Sequence, residues 1–215
     1  MSTRIVWLIA ASGLAASPLA GQTGITATAA GLLLNVRARS EASGVTRVSG
    51  TAVGFEGSVR FRRLELQVRY AEGRLQPADQ QSDARDLVEG AVALRFVATP
   101  WLSMQVGPHA RRYDTPLGPE RWVTWQLGTR GDVALAGPSV RGHALLWRGM
   151  GLGVNVPQGS GSTRGGEVGV TIDLGAPLRP FWLALSYGID QAQVRDVARR
   201  ETVETLTLTA GFRRR

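Results

Sequence analysis

GEVGVTIDLG, residues 166–175, places a large aliphatic side chain at every second position. The aliphatic residues are Val168, Val170, Ile172 and Leu174, and the charged residues between them are Glu167 and Asp173. Successive side chains of a β-strand point to opposite sides of the sheet. The stretch therefore predicts a strand with one apolar and one polar face, and the fold depends on which face meets water.

The composition indicates a single β-rich domain. The chain has 215 residues, of which 43% are apolar, and its 27 Gly and 10 Pro indicate many turns rather than long helices. All 25 basic residues are Arg, and the net charge is +8. These arginines are scattered singly through the alternating segments, so we predict no nucleic-acid partner. No Cys is present, and neither a cofactor motif nor metal-ligand spacing occurs. We therefore predict no cofactor and no metal.

The N-terminal stretch MSTRIVWLIAASGLAASPLAGQ has the layout of a secretory signal peptide. Arg4 precedes an apolar run from Ile5 to Ala16, and small residues follow. This run is shorter than the roughly 20 apolar residues that a spanning helix needs. We predict a signal peptide over residues 1–21, cleaved between Ala16 and Gln22, and a single domain over residues 22–215.

Ten segments of the remaining chain show strand-like alternation. They cover residues 25–38, 51–62, 64–73, 86–98, 101–113, 121–132, 140–154, 166–175, 181–190 and 204–212. We predict about ten antiparallel strands, with eight as the alternative if the third or seventh segment is wrongly divided. In the seventh segment the alternation leaves Leu145 and Trp147 on the polar side, so that strand requires a bulge or a different register.

The connections between segments alternate between long and short. SEASGVTRVSG, QPADQQSD, DTPLGPE, PQGSGSTRGG and QVRDVARR are the longer ones, and TP, LAGP and GAPLRP are among the shorter ones. A transmembrane barrel has tight turns at its periplasmic end and longer loops outside the cell. Strands of about 9 to 11 residues also suffice to cross a bilayer. We therefore predict a single up-and-down transmembrane β-barrel of the all-β class, with both termini in the periplasm.

The prediction of a transmembrane barrel also determines which face of each segment points outward. The apolar face, which includes Val53, Leu66, Leu94 and Leu208, is predicted to contact lipid. The opposite face mixes both signs of charge with small residues, as a narrow filled lumen requires. The predicted polar network of the lumen consists of Glu56, Arg60, Glu65, Arg69, Glu89, Arg95, His109, Arg111, Arg130, Asp132, Glu167 and Asp173.

Aromatic residues cluster near the ends of the segments. Outer-membrane barrels carry aromatic girdles at both membrane interfaces. We predict such girdles from Phe61, Phe96, Trp101, Phe181 and Phe212 beside the short turns, and from Tyr70, Tyr113 and Trp122 towards the longer loops.

Taken over nearly the whole mature chain, this pattern resembles the small bacterial outer-membrane β-barrel proteins. The resemblance rests on the signal peptide, the even strand count, the alternating connections and the final LTLTAGF of residues 206–212. That last segment is similar to the C-terminal signature strand that these proteins present to the barrel assembly machinery. It differs because three arginines follow Phe212. The resemblance implies a location in the Gram-negative outer membrane, with membrane lipid and the assembly machinery as partners, and lipopolysaccharide as a further candidate partner of the loop arginines.

For function, the pattern favours a non-enzymatic barrel with a structural, adhesion or envelope-integrity role and a lumen filled by side chains. Three alternatives remain open. A narrow pore would conduct small solutes, and a soluble lipocalin-like carrier would turn the apolar face inward. A rim protease similar to the omptins would use His109 with Asp114 and Asp190. His143, the other histidine, is also predicted to face the lumen, and we assign no catalytic residue.

Overall fold

The computed structural model describes residues 24–79, 83–115, 118–155, 158–178, 180–195 and 198–214. The predicted signal peptide, residues 1–21, lies outside the described residues. Within them no helix is long and apolar enough to cross a membrane. The chain forms ten strands: β1 (Ile25–Glu41), β2 (Val45–Phe61), β3 (Leu64–Pro77), β4 (Arg85–Thr99), β5 (Leu102–Thr115), β6 (Gly118–Ala136), β7 (Val140–Asn155), β8 (Gln158–Asp173), β9 (Phe181–Val194) and β10 (Arg199–Arg214).

The ten strands close into one antiparallel barrel in which each strand pairs with its neighbours in sequence. Closure is made by β1 and β10, whose ladder runs from Ala27 opposite Arg214 to Glu41 opposite Arg200. The prediction of ten strands is confirmed. Because the strand number is even, both ends of the barrel sequence lie at the same end of the barrel. We call this the periplasmic end and the opposite one the outer end.

Apolar side chains cover the outside of the barrel. Within residues 166–175, Val168, Val170 and Ile172 face outward and are exposed, Val168 to 56%. The same holds on the other strands, for example at Leu33, Val53, Leu66, Leu94, Leu127, Leu185 and Leu208. The predicted direction of the two faces is therefore confirmed, and the soluble lipocalin-like alternative is wrong because its apolar face would be buried.

The strands are longer than a bilayer requires. They contain between 14 and 19 residues, whereas about 9 to 11 suffice for a tilted transmembrane strand. The prediction of long outer loops is accordingly wrong, because most of SEASGVTRVSG is strand: β1 ends at Glu41 and β2 begins at Val45. GAPLRP, which was predicted to be a short connection, lies between Asp173 and Phe181 at the periplasmic end. This connection is therefore longer than residues 42–44, which join β1 to β2 at the outer end.

The seventh strand contains a register shift between Gly149 and Leu152. Gly151 has a positive φ of 64°, a conformation that a residue with a Cβ adopts at a cost. On the periplasmic side of this bulge the odd-numbered residues Leu145 and Trp147 face inward, as the alternation predicts, and both line the interior. Beyond the bulge the parity changes, and the buried residues are the even-numbered Leu152 and Val154.

The outward face predicts how substitutions on β10 affect stability. Leu208→Arg places a charge in the middle of the apolar band, and we expect it to lower the free energy of unfolding by about 2–4 kcal/mol. Thr202→Arg adds the same charge outside that band, opposite Arg39, whose charge Glu41 compensates at 2.7 Å, and we expect a cost of about 0–1 kcal/mol. Denaturant unfolding in lipid vesicles measures both. Equal costs for the two variants would contradict a lipid-facing band at Leu208.

Candidate functional site in the barrel interior

The periplasmic half of the interior contains a polar cavity of about 820 Å³. All of the predicted lumen residues except Asp173 line it: Glu56, Arg60, Glu65, Arg69, Glu89, Arg95, His109, Arg111, Arg130, Asp132 and Glu167. Asp173 accepts hydrogen bonds from Arg141 at 2.9 Å and from Arg213 at 3.1 Å. The inward face of the strands therefore brings the predicted residues together around one space.

Charges of opposite sign are paired around the cavity. Glu65 lies 3.7 Å from Arg95, and Arg130 donates to Asp132 at 2.9 Å. His143 Nε2 lies 3.1 Å from Glu167 Oε1. The first pair links β3 to β4 and the His143–Glu167 contact links β7 to β8, whereas Arg130 and Asp132 both belong to β6. Each buried carboxylate thus has a polar partner, which reduces the cost of burying its charge. Arg60 differs from the others, since its side chain is exposed and donates to the carbonyl oxygen of Arg62.

The most enclosed ion cluster is centred on Arg111 of β5. Its guanidinium lies 2.8 Å from Glu89, 3.2 Å from Asp190 and 3.9 Å from Glu201. The hydroxyl of Tyr113 donates to Glu201 at 2.9 Å. The side chain of Glu201 is only 2% exposed. One arginine thus compensates carboxylates from β4, β9 and β10, and it links β9 and β10 to β5 across the lumen.

Beyond the Arg111 cluster, towards the outer end, the lumen is packed with apolar side chains. This apolar core consists of Leu32, Leu34, Val36, Ala38, Val48, Ala52, Ala71, Leu75, Leu87, Tyr113, Trp122, Leu152, Val154, Ala192, Val194 and Val203. A second arginine is embedded among them. Arg199 lies 2.9 Å from Glu120, donates to Ser40 at 2.9 Å, and stacks 4.9 Å from the ring centre of Trp122.

Two aromatic residues predicted for the girdles belong to this core. Tyr113 and Trp122 are 0% and 5% exposed and face the lumen, so their assignment to the outer girdle is wrong. The prediction was based on the closeness of these two residues to the loops. Strand alternation instead determines which face they occupy: their neighbours Arg112 and Arg121 are exposed on the outside, so Tyr113 and Trp122 point inward. The other predicted girdle residues, Phe61, Tyr70, Phe96, Trp101, Phe181 and Phe212, lie on the outside. Phe181 and Phe212 contact each other edge to face at 5.6 Å.

Sequence reasoning missed the apolar core, although β1 carries a signal for it. In LLLNVRAR, residues 32–39, the outward positions change from Leu33 to Asn35, Arg37 and Arg39. The inward positions of the same stretch stay apolar: Leu32, Leu34, Val36 and Ala38 are all buried. The polarity of the two faces therefore inverts along the strand. An outward face that turns charged while the inward face turns apolar indicates a strand that has left the lipid and encloses a core.

The groups considered for a rim protease do not form one site. Asp114 faces the outside, where it pairs with Arg112 at 2.7 Å. Asp190 faces inward and pairs with Arg111. His109 lies 3.5 Å from Glu89 instead of beside either aspartate. Among the described residues there is also no group of three or more His, Asp and Glu side chains able to hold a metal ion.

The combination of faces decides where the protein resides. An exposed apolar band around the whole barrel is tolerated only in lipid, and a closed sheet leaves no unpaired edge there. Charged side chains point to the interior of the membrane-spanning part, as in bacterial transmembrane barrels. The chain has the fold of a bacterial outer-membrane β-barrel.

Comparison with known proteins gives structural neighbours of low sequence identity. No protein-family model and no curated protein matches this outer-membrane barrel. It is similar to an outer membrane channel from Pseudomonas putida F1, with 12% identity, a TM-score of 0.49, and coverage of 91% of this chain and 97% of that chain. It is also similar to the translocator domain of autotransporter NalP from Neisseria meningitidis, with 11% identity, a TM-score of 0.43, and coverage of 90% of this chain and 89% of that chain. Neisserial surface protein A is a third similar structure, with 15% identity, a TM-score of 0.37, and coverage of 90% of this chain and 97% of that chain.

The Arg111 cluster predicts a stability contrast inside the barrel. Arg111→Met removes the charge that compensates Glu89, Asp190 and Glu201, and we expect the free energy of unfolding to fall by about 3–5 kcal/mol. Arg60→Met changes an exposed arginine at the mouth of the cavity, and we expect less than about 1 kcal/mol. Denaturant titration in vesicles provides both values. A loss at Arg111 no larger than that at Arg60 would show that the cluster does not stabilise the barrel.

Proposed function

We propose that this outer-membrane barrel is a non-enzymatic, non-conducting protein with a structural role in envelope integrity. The observation that carries the proposal is the apolar core that fills the outer half of the lumen. Leu34, Val36, Leu75 and Val203 are each no more than 3% exposed. An ion or polar solute would have to leave water to pass between them, which costs several kcal/mol or more.

The ion clusters support a structural role because they connect strands that are not neighbours. Arg111 joins β5 to β9 and β10 through Asp190 and Glu201, and Arg199 joins β10 to β6 through Glu120. Such links cross the lumen instead of following the sheet. They oppose ovalisation of the barrel and separation of its strands. A pore has no need of links that occupy its own path.

The described connections at the outer end favour envelope integrity over adhesion. β1 is joined to β2 by residues 42–44, and β9 ends at Val194 while β10 begins at Arg199. Surface that is offered to a distant partner is commonly carried by longer loops. Among the described residues, most of the outer end is the rim of the extended strands.

β10 has the features expected of a strand that directs insertion into the membrane. Leu206, Leu208 and Phe212 of the final LTLTAGF face outward and are exposed. We propose that the barrel assembly machinery recognises this strand, with Phe212 beside the periplasmic end. The arginines that follow extend β10 as far as Arg214.

A narrow pore is the second candidate, and the cavity of about 820 Å³ favours it. The cavity occupies the periplasmic half, has both signs of charge on its wall and is large enough to hold small solutes. Conduction would require the apolar core between the cavity and the outer end to open. The two proposals therefore differ in one measurable property, the conductance of the unmodified protein.

Planar-bilayer recording separates the two functions. We expect no steady single-channel steps from the unmodified barrel, because its outer half is packed. Removing the two largest aromatic side chains of the core, in a Tyr113→Ala/Trp122→Ala variant, is expected to produce conducting steps. Trp125→Ala is the matched control, since Trp125 is exposed on the outside, and it should stay silent.

The folded state of each variant is checked by its gel mobility with and without boiling before recording. Regular conductance steps from the unmodified protein would contradict the proposal and favour the pore. Silence of the core variant, once it is folded, would show that the two aromatic residues do not seal the lumen.

A further inference from the structure

Two arginines face each other on the outside of the barrel, next to the edge of the apolar band that lies towards the outer end. Arg148 of β7 and Arg164 of β8 are directly opposite in the ladder, and both are exposed. Side chains directly opposite on one face have Cβ atoms about 4.5–5.5 Å apart, and like charges in such positions repel each other. An anion between the two guanidinium groups would replace this repulsion with attraction.

Several other outward arginines at the outer end have a carboxylate close by, and in the facing pairs Arg39/Arg47 and Arg112/Arg121 at least one member has such a partner. Arg37, Arg74 and Arg200 lie directly opposite Glu204, Asp86 and Glu41. Arg39 pairs with Glu41 at 2.7 Å, and Arg112 pairs with Asp114 at 2.7 Å. Among the described residues no carboxylate pairs with Arg148 or Arg164. The side chain of Arg164 donates to the amide oxygen of Gln191 at 3.2 Å, which holds its guanidinium in place.

An apolar groove of about 630 Å³ lies on the same lipid-facing side. Val168, Val170, Leu185, Tyr187 and Leu206 form much of its wall. The small outward residues Gly131, Gly142 and Ala144 lie along it, where larger side chains would fill the space.

The groove and the arginine pair are connected along β8. Arg164, Gly166 and Val168 are successive outward positions on that strand, and Val168 lines the groove. Gly166 has no side chain of its own, and its outward face is covered by Leu146, whose Cδ2 would lie 3.0 Å from a Cβ at residue 166. A charged site therefore lies directly above an apolar one on a single stretch of the outer surface.

We propose that this surface binds the lipid A part of lipopolysaccharide, a phosphorylated, acylated glycolipid of the outer leaflet. A phosphate lies between Arg148 and Arg164, whose planar guanidinium groups match phosphate oxygens in a bidentate geometry. An acyl chain packs against the exposed side chain of Leu146, which covers Gly166, and continues into the groove. The inference does not depend on whether the lumen conducts, because all of its residues lie on the outside.

Native mass spectrometry of the purified barrel in detergent, titrated with diphosphoryl lipid A, tests the site. We expect the Arg148→Gln/Arg164→Gln variant to bind lipid A at least about tenfold more weakly than the unmodified protein, since hydrogen bonds to a charged group are lost. The matched control is Arg74→Gln/Arg200→Gln. It removes the same charge from the outer end, at arginines that face carboxylates, and should change binding less than about twofold.

Equal weakening in both double variants would overturn the proposal, because binding would then follow net charge. Unchanged binding in the Arg148/Arg164 variant would overturn it directly. Phosphatidylglycerol is titrated in parallel. If it binds the unmodified barrel as tightly as lipid A does, the site is a general anionic-lipid site and the assignment to lipopolysaccharide is wrong.

The groove is tested separately with Ala144→Phe, which fills it without changing charge. We expect this variant to bind acylated lipid A more weakly, while binding of the deacylated phosphorylated disaccharide stays unchanged. Unaltered binding of acylated lipid A would exclude the groove from the site. Loss of binding for both probes would indicate damage to the arginine pair, and would equally contradict a separate role for the groove.

Discussion

Hydrogen bonding between β1 and β10 closes the sheet, and the other features of the molecule depend on that closure. In lipid, every unpaired backbone amide or carbonyl costs several kcal/mol, so an open edge is not tolerated. Closure also gives the sheet an inside and an outside, and the two-residue period of a strand then assigns each side chain to one of them. The bulge in β7 illustrates the strength of this rule. A register shift between Gly149 and Leu152 brings Leu152 and Val154 into the core.

The strands exceed the thickness of the bilayer, and this length gives the interior two different halves. Where the outside contacts lipid, the inside carries the charged side chains around the cavity. Where the outside carries Arg37, Arg39 and their carboxylate partners, most inward side chains are apolar and surround the ion pair of Arg199 with Glu120. The outer part of the barrel therefore has a hydrophobic core with an embedded ion pair, enclosed by a sheet. Its sealing of the lumen is the physical basis for a structural rather than a conducting role.

Much of this fold could be predicted from the sequence, because alternation is a local property. Alternation predicts the ten segments, the outward direction of Val168, Val170 and Ile172, and the inward direction of the charged residues. The strand ends could not be predicted, since Gly, Ser and Thr in SEASGVTRVSG also suit loops. The faces of Tyr113 and Trp122 were predicted wrongly because proximity to a loop was given more weight than parity. The Arg111 cluster required the register between distant strands, which no local pattern contains.

The central claim is that the outer half of the lumen is a dry core while the periplasmic half is a wet cavity. The chain has no cysteine, so single cysteines can report on water at chosen sites. Val36→Cys nearly preserves the volume of a core residue that is 2% exposed, and Ala91→Cys places a thiol on the cavity wall. The measurement is the rate at which each thiol of the folded barrel reacts with a small charged thiol reagent. The account predicts fast reaction at residue 91 and essentially none at residue 36, and similar rates at both positions would contradict it.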